Sequence, residues 1–257
     1  MSETHSYQPR TYREGMGRDR FRSFTVAYLE TDLWIGYVPT DDHPGPDDME
    51  LAAADHIRRL RIEVDAYARS DRKFLDALAP YEPHPNAPAL VQIMFQAARK
   101  AGVGPMAAVA GAFAEAVGRE LESKFRLHEI VVENGGDIFL DVKGPCLTLV
   151  QSGSSPLSGK VGLEVDSLNT PIGICTSSGT VGPSLSFGRA DAMTVACQDT
   201  ALADAYATFF GNRVHGPSDI EPVLGEIADH PDIIAALVIV GDRIGVRGDL
   251  PLRILKK

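Results

Sequence analysis

"VVENGGDIFL", residues 131–140, is the stretch on which the reading of this chain turns. Two apolar runs flank Asn134, Gly135, Gly136 and Asp137. Asn-Gly between alternating apolar residues is the strongest short-range hairpin signal, because both residues tolerate positive φ and match the twist of paired strands. Two adjacent glycines also let a planar or phosphorylated ligand approach bare backbone. The segment is a turn on one reading and the floor of a ligand site on the other.

Outward from this segment the apolar period changes. After it, "CLTLVQS", "KVGLEV" and "IGICTS" continue the strand pattern begun by "HEIVVE" and "DIFLDV", with Gly, Pro and Ser between them, so a largely antiparallel sheet is expected. Before it, "PDDMELAAADHIRRLRIEVDAYARSDRKFLDALAP" has acidic residues in its first turn, basic ones later, and apolar residues at three- and four-residue spacing. That is a long helix broken near Ser70. Helices are also expected over 90–101 and 105–125, and "RFRSFTVAYLETDLWIGYVP" reads as a hairpin. "DTALADAYATFFGN" is a helix with Asp199 or Thr200 as its N-cap, and another helix starts near Ser218. "IIAALVIVGDRIGVRGDLPLRIL" closes the chain as a hairpin about Gly-Asp. The fold class is therefore α+β, a largely antiparallel sheet packed with long helices. Residues 1–20 read as a basic mobile arm and 21–257 as a single domain, with the proline-rich "YEPHPNAPA" marking an internal boundary near 80–88.

Composition narrows the function classes. With 25 Lys plus Arg against 35 Asp plus Glu, the net charge of −10 repels phosphate backbones, so no nucleic-acid partner is expected. No apolar run approaches the roughly 18 residues of a membrane span, and the N-terminal segment lacks the apolar core of a secretory signal. A cytoplasmic protein with no membrane partner is expected. Cys146, Cys175 and Cys197 are odd in number and lack CxxC spacing, which suits buried strand thiols in a reducing compartment. The small residues of 105–125 serve a core or a subunit interface, and on the second reading the chain forms a homodimer.

Three segments could carry chemistry. Asp204 and Thr208 lie four residues apart, on one face of the helix, where their oxygens could share a hard cation such as Mg²⁺. The plain alternative is a solvated Asp and a Thr that bonds back to its own helix. "CTSSGTVGPSLSFGRADA", 175–192, offers hydroxyls and unhindered N–H groups for phosphates or a ring edge, or is a structural Ser/Gly loop. Arg189 and Asp191 read as a ligand-binding Arg with a general base, or as a surface ion pair. No GxSxG elbow, P-loop or GxGxxG signature is present.

In their order, "ENGGDI", "TSSGT" and "ADAYAT" resemble the ApbE-type flavin transferase superfamily, over roughly residues 106–211. The resemblance implies Gly135, Gly136 and Asp137 at an FAD site, Thr176, Ser178 and Gly179 beside it, and Asp204 and Thr208 on a magnesium ion. Asn134 and Ser177 belong to the same segments, and Arg189 and Asp191 complete the candidate ligand set. "ETDLWIG", "TSSGTVG", "SFGRADA" and "GDRIG" resemble more closely a separate branch of that superfamily, one without an assigned activity. The transferases carry an HxIDPxTG segment between the second and third motifs, and here that interval holds no His. Their KGY-like lysine has no clear counterpart in "AAVAGAFAEA". The resemblance thus implies a small-molecule ligand, FAD or another adenine-containing phosphoester, bound without the transferase His. Its alternatives are a Mg-dependent flavin transferase or FAD pyrophosphatase, and a role in sulfur assimilation.

Overall fold

Along "IGICTS", residues 172–177, Ile172 and Ile174 are buried in one apolar cluster and Cys175 in another. Because strand side chains alternate between faces, such a sheet needs two covers. The computed structural model, which describes residues 10–17, 19–40, 45–180 and 186–255, supplies a different one on each face.

In chain order, β1 (Arg22–Tyr28) and β2 (Thr31–Pro39) form the expected hairpin, followed by α1 (Pro46–Ser70), α2 (Lys73–Asp76) and α3 (Ala89–Ala101). After a single 3-10 turn come α4 (Val109–Lys124), β3 (Leu127–Asn134), β4 (Asp137–Asp141), β5 (Cys146–Leu149), β6 (Val161–Val165), β7 (Ile172–Ser177) and β8 (Ala192–Cys197). The chain ends with α5 (Thr200–Gly211), α6 (Ile220–Ile227), β9 (Ile233–Val240), β10 (Arg243–Gly248) and β11 (Leu252–Ile254). Eight strands in the order β1-β2-β3-β4-β7-β8-β9-β10 make the main sheet, and β11-β6-β5 make a second sheet of three. Every pairing is antiparallel.

The helices cover both halves of one face, α4 over β3 and β4, α5 over β7 and β8, and α6 over β9 and β10. Their core holds Phe74, Phe95, Phe113, Phe139 and Phe210, each at most 2% exposed. The small sheet covers the other face and shares a second core with it, made by Trp34, Leu140, Leu163, Ile174 and Leu237 among others. That second sheet is not expected from the sequence, because β11 is only three residues long and pairs with a strand some ninety residues earlier.

Tyr67 and Phe74, before the proline-rich loop, pack against Phe95 after it, so residues on both sides of 80–88 share one core. Helix α4 spends its small-residue face inside the chain, with Gly111, Ala112, Ala114, Val117, Gly118 and Leu121 all buried. That face is not available to a second subunit. Cys175 and Cys197 are buried strand thiols, as expected, whereas Cys146 is only half-buried.

Candidate functional site

The Gly-Gly turn closes a hairpin and also lines a cavity. Asn134 pairs with Asp137 across the end of the β3–β4 hairpin, and Gly135 and Gly136 take φ of 68° and 106°, a region that favours glycine. The same turn forms part of the wall of a cavity of about 600 Å³ between the main sheet, the small sheet and the N-terminal segment. Side-chain alternation along β4 sends Ile138 and Leu140 toward the small sheet and Phe139 toward the helices. Asp137 shares the parity of Phe139, and its Oδ1 accepts the Thr176 N–H at 3.3 Å.

The metal candidates come from α5. Asp199 caps the helix by accepting the Leu202 N–H at 2.9 Å. Asp204 and Thr208, one turn apart, both line the cavity beside Asp137. Asp204 is not the solvated helix Asp of the plain reading, for it is 9% exposed and its Oδ2 accepts the Gly111 N–H at 2.9 Å. Helix α4 has no cap of its own, so this carboxylate satisfies an orphan donor of a neighbouring helix. The approach is close: a Cβ on Gly111 would run into the Thr200 carbonyl oxygen and lie 2.9 Å from the Asp204 Cβ. Asn134 grips the same helix start, donating from Nδ2 to the Ala110 carbonyl at 3.1 Å.

Burial pushes the Asp204 carboxyl up to about 7. Burial, and then the charge of Asp204, holds Asp137 well above the ordinary carboxylate range. Two buried acids thus face one end of the cavity. Among the described residues no cluster of three or more His, Cys, Asp or Glu could hold a metal. Asp204, Thr208 and Asp137 still fit Mg²⁺, because that ion is usually held by one or two carboxylates and completes its shell with water and ligand phosphates.

Thr176, Ser177 and Ser178, with Thr194 from β8, line the cavity next to this acidic end, and the Thr176 and Thr194 hydroxyls lie 2.9 Å apart. Other members of the candidate set are used elsewhere. The Gly179 N–H bonds to the Ala190 carbonyl, and the Arg189 N–H to that of Val214, with the Arg189 side chain exposed. Asp191 is not among the residues that line this cavity. Its carboxylate accepts the Thr180 hydroxyl at 2.9 Å and the Gly241 N–H at 2.7 Å, which pins the Ser/Gly loop to the β9–β10 turn. Within that loop, 181–185 lie outside the described residues.

Of the N-terminal segment read as an arm, residues 1–9 lie outside the described residues, and the arginines of 10–17 and 19–20 bond to the sheet. Arg13 reaches Glu133 Oε2 from Nε at 2.6 Å and Asp32 Oδ1 from Nη1 at 2.9 Å. Arg10 donates to the Asp32 carbonyl at 2.6 Å, and Arg20 pairs with Glu129. Tyr12, Met16 and Phe21 then close the cavity from above, over Trp34 and Leu140. Sequence reasoning missed Glu133, Asp32 and their arginines. The available signal was an acid directly after two valines in a strand pattern, together with several arginines near the N-terminus.

The cavity therefore has an apolar compartment beneath Phe21 and a polar end at Asp137, Asp204 and the hydroxyls. A family model described as AbpE bacteria matches residues 13–241. A UPF0280 protein of Methanocella arvoryzae is 41% identical over 197 residues, 77% of this chain and 80% of that protein. Among solved structures, the flavin transferase ApbE from Vibrio cholerae superposes with a TM-score of 0.61 at 11% identity, covering 88% of this chain and 96% of that one. The ApbE protein of Thermotoga maritima gives 0.59 at 12%, covering 90% and 97%. At these identities the likeness to the solved structures is one of fold.

Proposed function

The chain belongs to the family described as AbpE bacteria, and on that premise we propose that its cavity binds FAD or another adenine-containing phosphoester. One observation carries the reading: an apolar compartment shares one cavity with an end where two buried carboxylates, several hydroxyls and the glycine turn converge. The first accepts a flat ring system, and the second suits a charged tail that arrives with a cation. Asp204 and Thr208, with Asp137 beside them, would hold Mg²⁺, which neutralises pyrophosphate charge and polarises its P–O bonds. Hydroxyls at Thr176, Ser177, Ser178 and Thr194 are placed to meet polar edges of the ligand.

Binding comes before transfer in this reading, since the interval that carries the transferase His has none here. Incubation with FAD, with and without MgCl₂, followed by chromatography separates the outcomes. Intact FAD retained by the protein supports a binding protein, and release of AMP and FMN supports a phosphoester-cleaving enzyme. FAD that is neither retained nor cleaved overturns the proposal.

The same reading keeps a small-molecule partner and a cytoplasmic setting, and no single helix among the described residues is long and apolar enough to cross a membrane. Since the small-residue face of α4 is used internally, a homodimer would have to form through other surfaces. Light scattering decides it, a mass near 27.7 kDa removing the dimer.

A further inference from the structure

Glu133 is a cavity-wall side chain whose bonds reach two separate segments of that wall, and neither the resemblance nor the comparisons give it a role. It is 1% exposed. Its Oε1 accepts the Tyr12 hydroxyl at 2.8 Å and the Gly136 N–H at 2.8 Å, and its Oε2 accepts Arg13 Nε at 2.6 Å. Tyr12 and Arg13 belong to the N-terminal segment that roofs the apolar compartment, whereas Gly136 belongs to the turn at the polar end. One carboxylate thus touches both.

The geometry points to Glu133 as a positioning residue that ties this N-terminal strap to the glycine turn, so that roof and polar end are set together. Two alternatives are weaker. A surface ion pair would contribute little, but here the Arg13 and Glu133 side chains are only 9% and 2% exposed, and charge-assisted bonds shielded from water are the strong ones. A turn-stabilising acid alone would need only the Gly136 contact, and the other two bonds of this carboxylate run to a segment about 120 residues away. The Gly136 N–H is also committed to Glu133, and the Arg10 guanidinium lies beside Gly135, so both glycines of the turn face groups of this network. By linkage, anything that fixes the turn favours strap closure, and strap closure favours whatever needs the turn fixed.

The proposal rests on the binding reading only for its consequence on affinity, and its test separates the two. Chymotrypsin cleavage after Tyr12 and Phe21 reads the strap, and emission of Trp34, the single tryptophan and a cavity residue, reads the roof. Hydrogen exchange of the Gly136 N–H reads the turn. Glu133→Gln keeps the volume and an acceptor for Gly136 but loses the charge that holds Arg13, and Arg13→Met releases the same tie from the other side. Each is expected to be cut in the strap about tenfold faster than the parent, with red-shifted Trp34 emission, and the double variant should gain little over either single one. In Arg13→Met the Gly136 amide should also exchange faster, although Arg13 does not touch it.

Parent-like cleavage, emission and Gly136 exchange in both variants overturn the proposal. A variant cut throughout the chain has lost its fold. Tyr12→Phe, which deletes one hydroxyl, then decides, with faster strap cleavage supporting the tie and parent-like cleavage overturning it. With FAD and MgCl₂, affinity should fall about tenfold in Glu133→Gln, roughly 1.4 kcal/mol. If the parent fails to bind FAD, the ligand assignment falls, and cleavage, emission and exchange still decide the role of Glu133.

Discussion

Gly111 donates its backbone N–H to Oδ2 of Asp204 at 2.9 Å, and the partner helices return the arrangement, Thr200 donating its N–H to Oε2 of Glu115 at 2.9 Å. Helices α4 and α5 therefore satisfy each other's first-turn donors, and the metal candidate is also a structural acceptor. Removing it has two consequences. Asp204→Ala strands a buried N–H and should cost about 1–3 kcal/mol in urea unfolding. Asp204→Asn keeps a carbonyl oxygen for Gly111, so it should unfold close to the parent while losing Mg²⁺-dependent FAD binding. Equal stability of the alanine variant and the parent would show that the cross-cap contributes nothing.

Thr208 is half-buried and lines the cavity one turn beyond Asp204. Thr208→Val preserves the shape and deletes the hydroxyl, so FAD affinity in the presence of MgCl₂ should fall about fivefold, roughly 1 kcal/mol. Titration without Mg²⁺ should show a smaller loss. An equal loss in both conditions assigns the hydroxyl to the ligand and not to the metal.

Asp191 and Arg189 should behave unlike site residues. Because Asp191 fastens Thr180 to Gly241, Asp191→Ala should lower stability by about 1 kcal/mol. Arg189→Ala, which alters an exposed side chain, should leave both stability and FAD affinity at parent values. A tenfold loss of affinity in Arg189→Ala would return that arginine to the binding set.

Glu122 on α4 offers a pH dependence away from the cavity. Burial, and then the charge of Asp141, pushes its carboxyl up to about 7 from the ordinary 4.5. The folded chain therefore holds a proton that the unfolded chain releases earlier. Its contribution to stability is complete below about pH 4.5 and is lost as the pH rises through about 7. Glu122→Gln carries no titrating proton and should flatten this part of the profile. Urea midpoints near pH 5 and pH 8 test it, and a variant with the parent's full difference would assign the slope to other acids.

Much of the fold was legible before any coordinates. The helix breaks, the Asp199 cap and the three hairpins at 22–39, 127–141 and 233–248 all follow from residues within a few positions of one another. So does the Gly-Gly turn, whose positive φ angles only glycine takes without strain. The motif order also led to Asp137, Thr176, Asp204 and Thr208, which do meet at one cavity.

What remained hidden depends on which distant elements meet. The small sheet exists because β11 adds to β6, and nothing in three residues announces that partner. Arg13 finds Glu133 across 120 positions, and Gly111 finds Asp204 across 93. By itself the chain determined its local conformations and the parity of each strand, since those rest on steric limits and alternation that act over a turn or a pleat. Only the tertiary structure decided that Asp204 is a buried cap, that Asp191 is a loop fastener and that the basic N-terminal segment is the roof of a cavity. A carboxylate's role is set by which donors packing brings within about 3 Å and how much water it excludes, and neither is written in a residue's neighbours along the chain.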